Sequence, residues 1–541
     1  MKTLLLKMKN PPLIGLIISQ ARLYDPVDGF LPHSAVAICG NRIVALGSGE
    51  DLLALKQKDT QVIEAANRIM MPSLTDSHTH FLEYVRRKQQ VDLEECRSLS
   101  EALKVIEEKV KRTPEGEWVT GGGWNRNLWG VNDYPTRHHL DRISTRHFIS
   151  LDSKDWHTTW VNTPVLNLAG IPLDKPYPNA RHQAIDPVSG EFTGILEEEA
   201  RMVIFDLIPK YRYDQLRESY QTTLREFYQL GFSGIHTVEM PNDFSIFQEA
   251  HHRGEIGLRT FWYLPVKHTG AAREIGLSQG FGNDFLQIVG VKIFVDGSFG
   301  SQTAELFENY SGLNHAGVEV VTLEQLDHFV HQAVDAGLSC AIHSIGDKAI
   351  HKCLQVLAKY DQESREKGLH HRIEHAQLIQ PEDIPLFVKH KVIASVQPLH
   401  LAADISIIRK YLDDRAQLTY SFKSLQKSGA MLIFGSDTPI ESFNPWHAIY
   451  TAMERKYLMD PSQPAFFPEQ KLDLVTCLAA YTCNPARVVN MENKIGRIRT
   501  GMMADLFIPD RDIFSISSEE LKDTKSLLTV VDGKIVHQAM D

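Results

Sequence analysis

Met-Pro-Ser-Leu-Thr-Asp-Ser-His-Thr-His, residues 71–80, decides how this chain is read. An apolar start gives way to small polar residues and then to two histidines one residue apart. On an extended chain, residues two apart face the same side, which sets His78 and His80 about 7 Å apart, close enough to converge on one ion. A His-x-His pair alone is a weak motif and suits a solvated loop equally well. It gains meaning from Lys292, His343, His375 and Asp437, which follow in order. Each of these lies within a short apolar run or at its C-terminal end.

These runs belong to a regular series. Candidate strands cover residues 70–74, 232–238, 258–264, 288–295, 339–343, 372–375, 392–397 and 431–435. Amphipathic helical patterns separate most of them, for example at 323–336, 348–360 and 422–428. Eight β-α repeats with strands apolar on both faces predict an α/β fold, a TIM-type (β/α)8 barrel over residues 70–488. The gap between the first two strands is far too long for one crossover. Residues 86–201, approximately, are therefore expected to be a large insertion; they carry five of the seven tryptophans, at 118, 124, 129, 156 and 160. Both ends of the chain are strand-rich. Residues 16–23 and 35–46 are β-rich, the second with a Gly40-Asn41 hairpin turn signal, and 504–508 and 527–536 are short strands, with Asp532-Gly533 as a turn. Segments 1–69 and 489–541 are thus predicted to form one small β-sandwich domain.

Composition narrows the function. A formal charge of −11 argues against a nucleic-acid partner, which leaves a basic footprint. No apolar stretch reaches the eighteen or so residues of a membrane span. The apolar patch near the start is short and no small-residue cleavage site follows it, so residues 13–24 are read as a strand rather than a leader. Six scattered cysteines without a Cys-x-x-Cys predict reduced thiols and a cytoplasmic setting.

Lys292 is the most unusual of the singled-out residues. It interrupts Val-Gly-Val-Lys-Ile-Phe-Val (289–295), where alternation puts it on one face with Phe294 and Asp296. A lysine on the inner face of a buried strand is costly without a partner. Either it bridges to Asp296 or it is a ligating or modified lysine. His343 closes Ser-Cys-Ala-Ile-His, His375 closes Arg-Ile-Glu-His, and Asp437 follows Leu-Ile-Phe-Gly-Ser. One such histidine is ordinarily a hydrogen-bonded core residue, and one such aspartate caps a helix. Their joint arrival at strand ends is hard to explain as packing. Imidazole and carboxylate donors suit zinc and related divalent ions.

The motifs together resemble the amidohydrolase superfamily, specifically the amidohydrolase-3 branch that includes N-substituted formamide deformylase-like enzymes. Residues 71–80 resemble its first-strand motif, with Ser73 where glycine is usual. Val-Lys-Ile-Phe-Val-Asp-Gly-Ser (291–298), Ile-His-Ser-Ile-Gly-Asp-Lys-Ala (342–349), His-Arg-Ile-Glu-His-Ala-Gln (371–377) and Gly-Ser-Asp-Thr-Pro (435–439) are similar to the motifs that follow. Tyr-Thr-Cys-Asn-Pro-Ala-Arg (481–487) and residues 495–506 resemble the closing helix and the return to the small domain. The resemblance implies one or two divalent ions, zinc foremost, held by His78, His80, Lys292, His343, His375 and Asp437. Lys292 would then be a carboxylated lysine bridging two ions.

The implied reaction is hydrolysis of a non-peptide C–N bond, amide or formamide, in a small-molecule substrate. The ion acidifies a water. Asp437 serves as general base and then as acid, and the ion or His343 polarises the carbonyl. Trp124 and His157 in the insertion, His236 at the end of the second strand and Asp296 are candidate substrate contacts. Trp124 and His236 fit ordinary packing as well. The insertion departs from the family pattern at Asn125, where aspartate is common, and at Trp156, where glycine is. A deaminase on the same fold is the alternative, but residues 344–347 after His343 hold no glutamate acid, and Lys292 is present. A non-catalytic regulatory barrel would lose ligands; here none is missing. A homodimer is compatible with the sequence.

Overall fold

The computed structural model describes residues 13–125, 129, 135–153, 158–174, 185, 190–458, 460 and 462–540. Packing divides the chain into two compact units: one runs up to Leu82 and resumes at Gln221, and the other is Glu83–Tyr220.

The first unit contains the barrel. Its strands are β1 (Leu74–Thr79), β2 (Phe232–Val238), β3 (Arg259–Pro265), β4 (Leu286–Phe294), β5 (Ser339–Ser344), β6 (Arg372–His375), β7 (Ile393–Val396) and β8 (Leu432–Phe434). Each pairs in parallel with the next. Just past β8 the ring meets β1. The Asp437 N–H donates to His78 O at 2.7 Å and the His80 N–H to Thr438 O at 2.8 Å, around a parallel bridge between Thr79 and Thr438. All seven residues of β2 are buried, as expected for a strand covered on both faces.

The sequence reading placed the first strand at 70–74, and the structure corrects it. Residues Gln61–Pro72 form a separate strand, parallel to Leu16–Asp25 and antiparallel to Leu506–Pro509. The switch falls at Ser73, whose N–H donates to Asp505 O, while the Leu74 N–H donates to Gly231 O. The apolar run is continuous across this point. Only its partners change, and periodicity carries no information about partners.

Strands from both ends of the chain lie on one hydrogen-bonded path. Its order is Lys534–Gln538, Ser526–Val531, Leu506–Pro509, Gln61–Pro72, Leu16–Asp25, Ala35–Cys39 and Arg42–Gly47, with Gly29–Phe30 beside Leu16–Asp25. Leu16, Ile18, Val36, Ile63, Leu506, Leu528 and Val530 share one buried apolar cluster. The two ends of the chain therefore need each other to cover their apolar faces. The second unit carries its own five-stranded sheet, ordered Ile195–Glu197, Thr158–Val161, Phe148–Ser153, Trp118–Trp124 and Val91–Asp92. Its core includes Trp124, Trp129 and Trp160.

All six cysteines are free. Among the described residues no helix is long and apolar enough to cross a membrane.

A buried ion pair fastens the terminal sheet to the barrel. Arg259, at the start of β3, donates from Nε to Asp505 at 2.6 Å and from Nη2 to Asp532 at 3.0 Å, with 1% of its side chain exposed. Breaking a buried pair from one side strands a charge and costs about 3–5 kcal/mol. Arg259→Met is expected to lower unfolding stability by about that amount, read as a shifted urea midpoint. A midpoint unchanged from the parent would show that the pair does not anchor the sheet.

Candidate metal centre

A parallel barrel gathers its strand C-termini at one mouth. β1 delivers His78 and, just beyond it, His80; β4 delivers Lys292, β5 His343 and β6 His375. Asp437 follows β8 by three residues. Ligand atoms of His78, His375 and Asp437 all lie within 4.8 Å of one another. Asp437 Oδ1 is 3.3 Å from His78 Nε2 and 3.1 Å from His80 Nε2. Lys292 Nζ is 3.3 Å from His78 Nε2, and the rings of His343 and His375 are 4.5 Å apart at their centroids. The structure thus brings all six residues singled out as ligands to one place.

Three of the four imidazoles are oriented from behind. His78 Nδ1 lies 2.5 Å from Glu374 Oε2. His80 Nδ1 donates to Val238 O at 2.6 Å, and His343 Nε2 donates to Gly297 O at 3.1 Å. These bonds leave His78 Nε2, His80 Nε2 and His343 Nδ1 for the site. His375 Nδ1 is buried with no hydrogen-bond partner. Nitrogen and carboxylate donors, converging and held by outer partners, with one buried nitrogen orphaned, fit a divalent ion. His375 (φ 72°) and Asp437 (φ 60°) both hold left-handed backbone, which costs about 1–3 kcal/mol each and is concentrated at functional sites.

Electrostatics agree with ligand chemistry. Burial and Lys292 pull His78 and His343 down to about 4, so both are neutral. Burial lowers the Lys292 amine to about 8. Burial would raise Glu374, but Arg372 and His78 prevail and hold it below the usual carboxylate range. Asp437 is likewise held low, against burial, by His78, His400 and His80.

The remaining sequence candidates have partners of their own. Trp124 is 2% exposed in the core of the second unit, its indole N–H donating to Leu151 O at 2.8 Å. His236 is completely buried inside the barrel with Nδ1 3.0 Å from Arg372 Nη1; this is the packed arrangement the sequence also allowed. Asp296 accepts the backbone N–H groups of Glu305, Ile345 and Gly346, tying the loops after β4 and β5. Asp296 Oδ1 also lies 3.8 Å from His343 Nε2. His157 lies outside the described residues.

Sequence reasoning missed Arg372, Glu374, Asp76 and His400. Arg372 and Glu374 had a legible signal, since two opposite charges at i and i+2 in a four-residue strand must share an inner face. Asp76 Oδ1 accepts the N–H groups of His78 and Ser436, clamping β1 to the end of β8. His400 sits on the helix Pro398–Tyr411, where no strand-end rule points.

Outer partners of metal ligands typically contribute 10–100-fold in metal affinity. Glu374→Gln is expected to weaken zinc binding by about that factor, measured by competition with a chromophoric chelator. Wild-type affinity would show that His78 is oriented by something else.

With this geometry established, comparison with known proteins is direct. A profile described as Amidohydrolase family matches residues 61–537. Protein LONG AFTER FAR-RED 3 of Arabidopsis thaliana is 30% identical, covering 98% of this chain and 93% of its own. N-substituted formamide deformylase of Arthrobacter pascens is 22% identical, covering 93% of this chain and 95% of its own. The crystal structure of an uncharacterized metal-dependent hydrolase from Pyrococcus horikoshii OT3 superposes with a TM-score of 0.78 at 26% identity, covering 93% of this chain and 99% of that one. The match spans the barrel and the strands of the terminal sheet that flank it, and the chain belongs to the amidohydrolase family.

Proposed function

We propose that this chain hydrolyses a non-peptide C–N bond, an amide or formamide, with one or two divalent ions, zinc foremost, at the barrel mouth. The reading is carried by the convergence of His78, His80, Lys292, His343, His375 and Asp437. The likeness to N-substituted formamide deformylase supports the choice of bond.

Lys292 adds a specific point. It is 1% exposed, and among the described residues no carboxylate lies within ion-pair distance of it. Burial favours the neutral form of this amine, against the pull of the Glu374 and Asp437 carboxylates. Addition of that amine to carbon dioxide forms an N–C bond and releases one proton. The product is an anionic carbamate, which would join the surrounding donors in holding a divalent cation.

The ion, when bound, supplies Lewis acidity to a water and to the scissile carbonyl. Asp437 is the base. Its Oδ1 faces His78 and His80, and the imidazoles of His78, His400 and His80 keep it ionised against burial. It takes the proton of the attacking water and returns it to the departing nitrogen. His343 spends Nε2 on Gly297 O, so its remaining nitrogen serves as a ligand.

The test is a zinc-loaded preparation assayed on N-substituted formamides, N-acyl amines, N-acyl amino acids and cyclic amides. Asp437→Asn is expected to lower kcat about 10²–10⁴-fold, the usual contribution of a general base, with the fold intact by circular dichroism. Full turnover in this variant would refute the base. Activity confined to esters or phosphotriesters would refute the C–N bond.

A further inference from the structure

Asp437 has two oxygens with different surroundings. Oδ1 faces His78 Nε2 and His80 Nε2. Oδ2 faces away from them and lies 3.2 Å from His400 Nε2. His400 sits in the first turn of the helix Pro398–Tyr411 that follows β7. Its second nitrogen, Nδ1, is 3.7 Å from Glu441 Oε1, in the segment after β8. The imidazole therefore stands between two carboxylates, and 12% of its side chain is exposed.

An aspartate's terminal torsion is broad and roughly two-fold, so packing alone fixes poorly which oxygen faces where. Asp437 lies beyond β8, outside the strand ladder, with only 11% of its side chain exposed. A donor on Oδ2 removes that freedom and turns Oδ1 to His78 and His80. A donor carried on a helix turn is more rigid than one on a loop. Glu441 completes the arrangement by holding the imidazole from its other side.

We infer that His400 is a positioning residue: its Nε2–H fixes Asp437 Oδ2, so that Oδ1 stays aimed at the site, and Glu441 fixes His400 in turn. This rests on Asp437 acting as the base of the reaction proposed above. Misplacing a reacting group by about 1 Å can cost about 10²-fold in rate, so the effect belongs in kcat rather than in substrate affinity.

The test uses the zinc-loaded full chain as wild type, His400→Ala, His400→Gln and Glu441→Ala. Crystal structures read the Asp437 carboxylate plane directly. It is expected to rotate or to adopt two orientations in His400→Ala and to keep its wild-type orientation in His400→Gln, whose amide N–H reaches Oδ2. On an N-substituted formamide, His400→Ala is expected to lose about 10²-fold in kcat with KM and zinc content near wild type. Glutamine restores most of the rate, and Glu441→Ala loses less than His400→Ala. An unrotated carboxylate in His400→Ala, or a His400→Gln enzyme as slow as alanine, would overturn the inference. If the wild type cleaves none of the C–N substrates, the proposed reaction fails, while the carboxylate orientation still decides the role of His400.

Discussion

The contact between His78 Nδ1 and Glu374 is the constraint on which the rest of the centre depends. Glu374 is completely buried, and a lone carboxylate there would take up a proton rather than stay charged. It remains ionised because Arg372 pairs with it at 2.5 Å, while Ser395 Oγ donates to it at 2.7 Å. Arg372 is fixed in turn by Ser77 O, by His236 and by the face of Tyr263, 4.3 Å from the ring centroid. The barrel interior is thus a charged network and not an aliphatic plug. Its effect is to fix one tautomer of one histidine, with Nε2 facing the mouth.

The scaffold around that network explains how distant parts of the chain meet with such accuracy. β8 must approach β1 closely for Asp437 to stand beside His78. Gly435 makes this feasible, since a Cβ there would lie 2.5 Å from that of His78. Asp76 bonds across the same seam. At the opposite end of the strands, Arg259 reaches into the terminal sheet to bind Asp505 and Asp532. The sheet is therefore anchored at the end of the barrel remote from the mouth.

Much of this was legible in the sequence, and the failures have physical causes. Strands β2 to β8 fell within a few residues of their expected places because most of them, buried on both faces, read as short apolar runs between helical patterns. β1 was misplaced because one apolar run serves two sheets, and hydrogen-bond partners leave no periodic trace. The six residues that meet at the mouth could be singled out because strand-end position and residue type can both be read locally. His400 was not, since it reaches Asp437 from a helix and its meaning exists only in three dimensions. His236 reads from sequence as a rim contact or a packed histidine alike; its partner Arg372, and the three backbone amides on Asp296, are contacts that sequence does not place.

The most direct test of the central claim is anomalous diffraction at the zinc edge from zinc-loaded crystals. The account predicts a peak about 2.0–2.1 Å from His78 Nε2, a normal zinc–nitrogen distance, with His80 and Asp437 beside it and Glu374 still on His78 Nδ1. A peak remote from His78, or one in which Glu374 has left the imidazole to bind the ion itself, would contradict it.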